Sequence, residues 1–197
     1  MANTNSPFGF RYIADVSGGS PTDALTAALV QSTNTTAIFQ GDPVSPDGSG
    51  FIVQAAAGTT QLAGIFRQVE YLAPAVGRDI WFPSWPGSGN SGNGNASINS
   101  NPFSLFVAQT LLTSLSRADI GANVNFAIGT GNTTTGISGA TIDQSTVSTT
   151  NTLPFRIVAL WSDIAPPGSP GADNSSNFNW AVVTFNNTSL KQLTGIA

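Results

Sequence analysis

The apolar residues of this chain occur in short runs, and glycine, proline or asparagine separates most runs from the next. Ile80-Trp81-Phe82 stops at Pro83, and Phe155-Arg156-Ile157-Val158-Ala159-Leu160-Trp161 is followed by a proline- and glycine-rich segment over residues 166–171. The 197 residues include 21 glycines and 12 prolines, enough to end many strands. Short strands divided by turn residues are typical of β-sandwiches and barrels. The sequence therefore predicts an all-β fold, a jelly-roll-like β-sandwich or barrel.

Two segments are predicted to depart from this pattern. Residues 23–31 are a candidate helix, because Leu25 and Leu29 are four residues apart and Thr22 or Asp23 could cap it, although a strand fits the same residues. Residues 87–101 begin Gly-Ser-Gly-Asn-Ser-Gly-Asn-Gly-Asn and have low complexity. We expect them to form a flexible loop, since no lysine and no helix follow the glycines as in a phosphate-binding loop.

The chain opens with a segment rich in aromatic residues, proline and glycine. We predict an extended N-terminal arm over residues 1–22 and a single β domain over residues 23–197. Phe8, Phe10 and Tyr12 alternate along the arm, which gives an extended strand one apolar edge. Such an arm can dock on its own domain or on a neighbour, because a terminus has to be tied down by something.

The composition excludes several classes of chemistry. The chain has no His and no Cys, which rules out a histidine-based triad, an imidazole metal ligand, a thiolate and a disulfide. A formal net charge of −4 disfavours nucleic acid as a partner. No apolar stretch approaches a membrane span, and the polar N-terminus does not resemble a signal peptide, so we expect synthesis in a cytoplasm and no membrane partner.

The remaining candidates for a chemical site each have a simpler interpretation. Glu70 is the single Glu, and the nine Asp residues suit turns or surface positions better than a catalytic pair. Residues 136–140 lack the last glycine of a nucleophile elbow, and residues 119–125 could offer oxygens to calcium but read more simply as a turn entering a strand. We therefore predict no enzyme activity, no catalytic residue, no metal and no cofactor.

An ordered set of segments resembles a known family. They are residues 1–11 (Met-Ala-Asn-Thr-Asn-Ser-Pro-Phe-Gly-Phe-Arg), Ile38-Phe39-Gln40-Gly41-Asp42-Pro43-Val44, Ala55-Ala56-Ala57-Gly58 leading to Gly64-Ile65-Phe66 and Glu70-Tyr71, Asp119-Ile120-Gly121-Ala122-Asn123 leading to residues 129–136, Phe155-Arg156-Ile157-Val158-Ala159-Leu160, and Phe185-Asn186-Asn187. Together they resemble the capsid cement or decoration proteins of tailed bacteriophages, which have a jelly-roll-like β domain. The chain departs from that pattern at residues 87–101 and 166–171.

The resemblance implies a structural protein of the virion. Such proteins lie on the outer surface of the capsid and bridge neighbouring copies of the major capsid protein, usually as homodimers or homotrimers. The expected partners are therefore the major capsid protein and further copies of this chain. Our hypothesis for the contact is that Phe8, Phe10, Arg11 and Tyr12 of the arm reach a neighbouring subunit.

The main alternative is a glycan- or receptor-binding module, such as a head fibre or an adhesin. Trp81 and Trp85 lie on either side of a proline-containing corner, and a sugar could stack on their rings. In that hypothesis the two tryptophans and the 87–101 loop form a surface contact. Aromatic residues beside prolines are more often packed corner residues or interface anchors.

Overall fold

The structure is a computed structural model that describes residues 2–18 and 25–190. Within these residues it contains fourteen β-strands, two short 3₁₀ turns (Arg117–Asp119 and Trp161–Asp163) and no α-helix, so the all-β prediction is confirmed. The strands are β1 (Arg11–Asp15), β2 (Leu25–Val30), β3 (Ile38–Phe39), β4 (Pro43–Pro46), β5 (Ile52–Gln54), β6 (Gly64–Ala73), β7 (Arg78–Phe82), β8 (Ser84–Trp85), β9 (Ser91–Asn99), β10 (Ser104–Gln109), β11 (Asn123–Ala127), β12 (Thr141–Ser148), β13 (Phe155–Leu160) and β14 (Trp180–Phe185).

Two six-stranded antiparallel sheets make up the fold, as in a β-sandwich. Sheet 1 has the order β1-β10-β14-β13-β11-β12. Sheet 2 has the order β2-β9-β6-β4-β5, and β7 pairs with the far end of β6. A small ribbon of β3 and β8 completes the structure. No helix within the described residues is long and apolar enough to cross a membrane.

The two sheets divide the chain into consecutive parts. Sheet 2 is built from strands between residues 25 and 99, whereas five of the six strands of sheet 1 lie between residues 104 and 185. The sixth strand, β1, comes from the N-terminus and pairs with β10 at the edge of sheet 1. The predicted arm is therefore joined to the half of the chain that is most distant from it in sequence. The boundary at residue 22 lies outside the described residues, and the single domain stays a prediction.

Each sheet has its own apolar core, and β6 connects the two. Ile65 packs in the core of sheet 1, where Phe155 and Phe185 stack with their ring centroids 5.6 Å apart. The next residue, Phe66, points to the opposite side and is fully buried in the core of sheet 2. Successive residues of a strand face opposite sides, so one strand can supply both cores. Burying a side chain of this size stabilises the fold by roughly 1.5–3 kcal/mol.

The candidate helix over residues 23–31 is wrong for the residues that the structure describes. Leu25–Val30 form β2, which pairs along its whole length with β9. Leu25 and Leu29 are both exposed on one side of this strand, while Val30 is buried on the other. A spacing of four residues places two side chains on one face of either a helix or a strand, so the spacing alone could not separate the two. Backbone pairing with β9 decided the outcome.

The predicted flexible loop over residues 87–101 is also corrected. Nine of its residues form β9, which lies between β2 and β6 inside sheet 2. Ala96 and Ile98 are buried in the core, whereas Asn95 and Ser97 project from the opposite face. Gly94 faces the same core, where a Cβ atom would lie 2.6 Å from the indole of Trp85. The alternation of Gly94, Ala96 and Ile98 with polar residues was the signal for a strand, and the high glycine and asparagine content concealed it.

Replacing Gly94 tests whether the residues around it are packed as a strand or form a flexible loop. In Gly94→Ala the added methyl group meets Trp85 and, at 2.8 Å, a methyl group of Val69, so we expect the free energy of unfolding to fall by roughly 1–3 kcal/mol. Urea denaturation of the variant measures the change. Asn95→Ala, on the exposed side of the same strand, is the control and should change stability by less than about 0.5 kcal/mol. An unchanged midpoint for Gly94→Ala would mean that this segment is not packed as a strand.

Candidate functional site

The N-terminal arm lies along its own domain. The side chain of Asn3 donates to the carbonyl oxygen of Asp173 at 2.7 Å, and the backbone N–H of Asn3 donates to Ser176 Oγ at 3.0 Å. The amide of Gln109, at the end of β10, bonds the arm twice: it donates to the carbonyl of Thr4 at 2.8 Å and accepts from the N–H of Ser6 at 3.1 Å. These polar contacts hold the first residues of the arm against the end of β10 and the segment that precedes β14.

The aromatic residues of the arm continue this docking. The Phe8 ring lies edge-on to Trp180 with centroids 4.6 Å apart. Phe10 is only 2% exposed and stacks on Phe155 at 4.5 Å, within the core of sheet 1. Tyr12 is partly buried and packs at the edge of the same core. The prediction that Phe10 reaches a neighbouring subunit is therefore wrong, because its side chain completes its own domain.

Arg11 differs from its neighbours because it is exposed. Its guanidinium carbon lies 5.2 Å from the centroid of the Phe8 ring, a distance suited to a cation–π contact. Of the four residues predicted to contact a partner, Arg11 is the one whose side chain remains at the surface, while Phe8 and Tyr12 are partly covered. A partner contact through Phe8, Arg11 and Tyr12 stays a prediction.

A buried carboxylate joins the arm to both sheets. Asp42, in the turn between β3 and β4, is 1% exposed. Its Oδ2 accepts hydrogen bonds from the N–H of Phe39 at 2.8 Å and from the side-chain amide of Gln54 at 2.7 Å, and its Oδ1 accepts from the hydroxyl of Ser138 at 2.5 Å. Ser138 lies in the loop between β11 and β12, so this carboxylate connects sheet 2 to a loop of sheet 1. We call the group formed by Asp42, Phe39, Gln54 and Ser138 the Asp42 junction.

The arm passes close to this junction because two glycines allow it. Gly9 has a φ of 73°, and a Cβ atom there would lie 2.7 Å from the Cβ of Ser138. Gly41 has a φ of 96°, and its carbonyl accepts a hydrogen bond from the N–H of Phe10 at 2.9 Å. Positive φ values and backbone contacts this close both favour glycine. The junction therefore fixes where the arm enters the core.

Burial raises the pKa of Asp42 above its ordinary value of 3.8. The hydrogen bonds from Ser138, Phe39 and Gln54 oppose that shift, since all three donate to the ionised form. In contrast, hydrogen bonds from Ser175 lower the pKa of the exposed Asp173 carboxyl. Asp42 is thus a buried acid whose ionised form is held by neutral donors.

The structure separates the two tryptophans that were predicted to form one surface contact. Trp85 is fully buried in the core of sheet 2, where its Nε1–H donates to the carbonyl of Asn34 at 3.1 Å. The Tyr71 ring lies edge-on to it, with centroids 5.6 Å apart. The prediction that Trp85 lies at the surface is therefore wrong. Trp81 is 55% exposed on β7, as the surface prediction requires.

Trp81 belongs to a row of side chains that crosses four strands of sheet 2. Leu29 pairs with Asn95, Asn95 with Glu70, and Glu70 with Trp81. Directly paired residues project from the same face of a sheet, so the four side chains lie side by side on the outer surface. This surface, the open face of sheet 2, consists of Leu25, Ala27, Leu29, Gln68, Glu70, Leu72, Asp79, Trp81, Asn95 and Ser97.

The residues considered for calcium have a structural role. The carboxylate of Asp119 accepts hydrogen bonds from the N–H and the hydroxyl of Ser116 at 2.7 and 2.8 Å, which stabilises the 3₁₀ turn before β11. The interpretation of this segment as a turn entering a strand is confirmed. Residues 2–18 and 25–190 contain no group of three or more acidic side chains placed to hold a metal ion.

Comparisons of the chain with protein families, with curated proteins and with solved structures find no match. The resemblance to capsid cement proteins therefore rests on the sequence segments named above.

The Asp42 junction predicts a pH dependence of stability. A carboxyl whose pKa is higher in the folded state than in the unfolded state stabilises the fold fully below the unfolded pKa, and this contribution is lost as the pH rises through the folded pKa. The difference in unfolding free energy between wild type and Asp42→Asn should therefore decrease with rising pH, starting near 3.8, and become constant above the folded pKa. Urea denaturation at a series of pH values measures it. If the difference in unfolding free energy instead rises over this pH range, the pKa of Asp42 is not raised in the folded state.

The arm should contribute to stability through Phe10 more than through its polar contacts. Phe10→Ala leaves a cavity beside Phe155, so we expect a loss of roughly 3–5 kcal/mol. Asn3→Ala removes partly exposed hydrogen bonds and should cost only about 1 kcal/mol. Thermal or urea unfolding of both variants measures the contrast. Two small and equal effects would show that the arm does not pack in the core.

Proposed function

We propose that this protein is a structural component of a bacteriophage virion that binds the outside of the capsid and stabilises it by bridging neighbouring major capsid subunits. The observation that carries the proposal is the open face of sheet 2, interpreted together with the ordered sequence resemblance. This face exposes Leu25, Leu29, Leu72 and Trp81 by 38–55%, and it contains no basic residue. Exposed apolar groups with neutral polar groups between them suit contact with another protein.

The physical properties of this face fit a clamp that acts in many copies. Its row from Leu29 to Trp81 crosses four strands, about 14 Å at the usual strand spacing. Asn95, Ser97 and Gln68 carry no charge, so covering them costs less than covering ion pairs, whereas the carboxylate of Glu70 in the same row needs a partner group. A shell offers many equivalent sites, and a protein that contacts two adjacent subunits gains from effective concentration. Modest contacts can then stabilise a large assembly.

In this proposal the major capsid protein is the main partner, and copies of the chain associate as dimers or trimers. The location is the outer surface of the virion, after synthesis in the host cytoplasm. A capsid surface complementary to the open face would offer apolar groups to Trp81 and Leu72, and a donor or a cation to Glu70. Open sheet edges offer a second kind of contact between copies, since unpaired backbone groups can pair across chains.

A second function, glycan binding, is favoured by one observation. Glu70 lies directly opposite Trp81, and Asp79 lies on the same face of the next pair along β7. An exposed indole flanked by hydrogen-bonding carboxylates is the combination that can stack on a sugar and bind its hydroxyl groups. This version of the alternative uses Trp81 alone, because Trp85 is buried and the 87–101 segment contains a strand of the sheet.

Binding to capsids lacking this protein tests the proposal. The wild-type chain should cosediment with expanded shells of its own phage, saturate at a number of copies compatible with the lattice, and raise the temperature at which the shells break. Trp81→Ser should weaken binding by roughly thirtyfold, as expected for a truncated aromatic anchor. Leu112→Ser is a matched control, since Leu112 is 59% exposed outside the open face.

Substituting Trp81 is a cleaner test than removing the arm. Deleting the first thirteen residues would also remove Phe10 from the core, so loss of binding could reflect unfolding. No saturable binding of the folded wild type to shells would reject the capsid proposal. Binding to a glycan array that disappears in Trp81→Ser would then establish the alternative.

A further inference from the structure

The strand β2 forms one edge of sheet 2. It pairs with β9 along its whole length, from Leu25 opposite Asn99 to Val30 opposite Gly94, and no other described strand pairs with it. Within the described part of the chain, no backbone hydrogen bond outside this ladder involves residues 25–30. Alternate residues of an antiparallel strand direct their backbone groups to opposite sides. Half of the N–H and C=O groups of β2 therefore point away from β9.

This edge has none of the usual protection against pairing with another chain. Natural sheets protect their edges with charged side chains, prolines, bulges or very short strands. The six residues of β2 (Leu-Thr-Ala-Ala-Leu-Val) include no charge and no proline, and their register with β9 has no shift. Leu25 and Leu29 are 44% and 46% exposed. Only Val30 is buried, so residues 25–29 form the open part of the edge.

The other edges of the two sheets are protected. β1 contains Arg11 and Asp15, and its register with β10 shifts. β7 begins with Arg78 and Asp79, and β5 has only three residues. The backbone of β12 accepts a hydrogen bond from the N–H of Leu111 at 2.9 Å. Among the described edges, β2 is therefore the one that offers several uncharged residues in succession for pairing.

We propose that β2 pairs with β2 of a second copy of this chain, antiparallel across a two-fold axis at Ala27. This register pairs all of residues 25–29 and places Leu25 opposite the partner's Leu29. Directly opposite residues project from the same face, so the leucines of both copies meet on the open face of sheet 2. The small side chain of Ala27 leaves room at the axis. Two-fold pairing is self-complementary and closes after two copies, so it forms a dimer and not a trimer.

This inference deepens the proposed function, because it assigns the contact between copies. The paired edges join sheet 2 of both copies into one continuous sheet, with the two open faces on the same side. Trp81 of each copy then faces the same capsid surface, as a protein that bridges neighbouring subunits requires. The tests below use the purified chain without capsids. Loss of pairing would therefore leave capsid binding standing, and a dimer that does not bind shells would reject only the capsid function.

Sedimentation velocity of the full-length protein over a series of concentrations tests the pairing. We expect a monomer–dimer equilibrium in the wild type. Ala27→Lys places two ammonium groups opposite each other at the axis, so the dissociation constant of the dimer should rise at least about a hundredfold. Asn95→Lys is the control: it adds the same charge to the same face on β9 and should change this constant by less than about threefold. Both positions are exposed, and thermal unfolding shows whether the variants are folded.

Disulfide crosslinking tests the register, because the chain has no cysteine of its own. Oxidised Ala27→Cys should form a covalent dimer, since directly opposite Cβ atoms in an antiparallel pair lie about 4.5–5.5 Å apart. Asp79→Cys, on the exposed strand β7, is the control and should stay monomeric. Leu25→Cys and Leu29→Cys should crosslink when they are mixed, and neither should crosslink alone.

Four results would each overturn the pairing through β2. They are a wild type that stays monomeric up to about 1 mM, a wild type that forms trimers, an equal dissociation constant in wild type and Ala27→Lys, and equal crosslinking of Ala27→Cys and Asp79→Cys.

Discussion

The carboxylate of Asp42 accepts hydrogen bonds from three separate parts of the chain. Phe39 ends β3, Gln54 ends β5, and Ser138 belongs to the loop between β11 and β12. Burial opposes the charge, and tertiary structure brings together three donors that offset this cost in part. Next to this group Gly9 and Gly41 let the arm approach closely enough for the N–H of Phe10 to reach the carbonyl of Gly41. One buried acid therefore contributes both to the position of the arm and to the connection between the two sheets.

The arm consequently has two roles in the same short stretch. Phe10 fills the core of sheet 1, so this part of the arm belongs to the fold. Arg11 remains exposed, and its guanidinium carbon lies 5.2 Å from the centroid of the partly covered Phe8 ring. A segment held by a buried anchor can present neighbouring side chains in a fixed geometry, which lowers the entropy lost when a partner or a ligand binds.

The outer surface of sheet 2 shows how a chain with few charges can still be specific. Antiparallel register places Leu29, Asn95, Glu70 and Trp81 in one row, although they are far apart in sequence. Apolar groups at both ends of the row supply contact area, and the polar groups between them require matching donors and acceptors from a partner. The proposed capsid contact and the alternative glycan contact use this same surface, which makes Trp81 the most informative single residue on it.

The sequence alone determined the all-β class, because turn residues separate most apolar runs and leave lengths that suit strands. It also determined that no chemistry based on His or Cys occurs, since neither residue is present. Tertiary structure decided which side chains are buried. Trp81 and Trp85 are four residues apart with prolines nearby, yet one is exposed and the other fully buried, because β7 and β8 join different partner strands. Likewise, the sequence around Gly94 predicts a loop, whereas the structure shows that Gly94 packs against Trp85 within a strand. A period of two residues gives a strand two faces, and only the packing of one sheet against its neighbours selects the face that is buried.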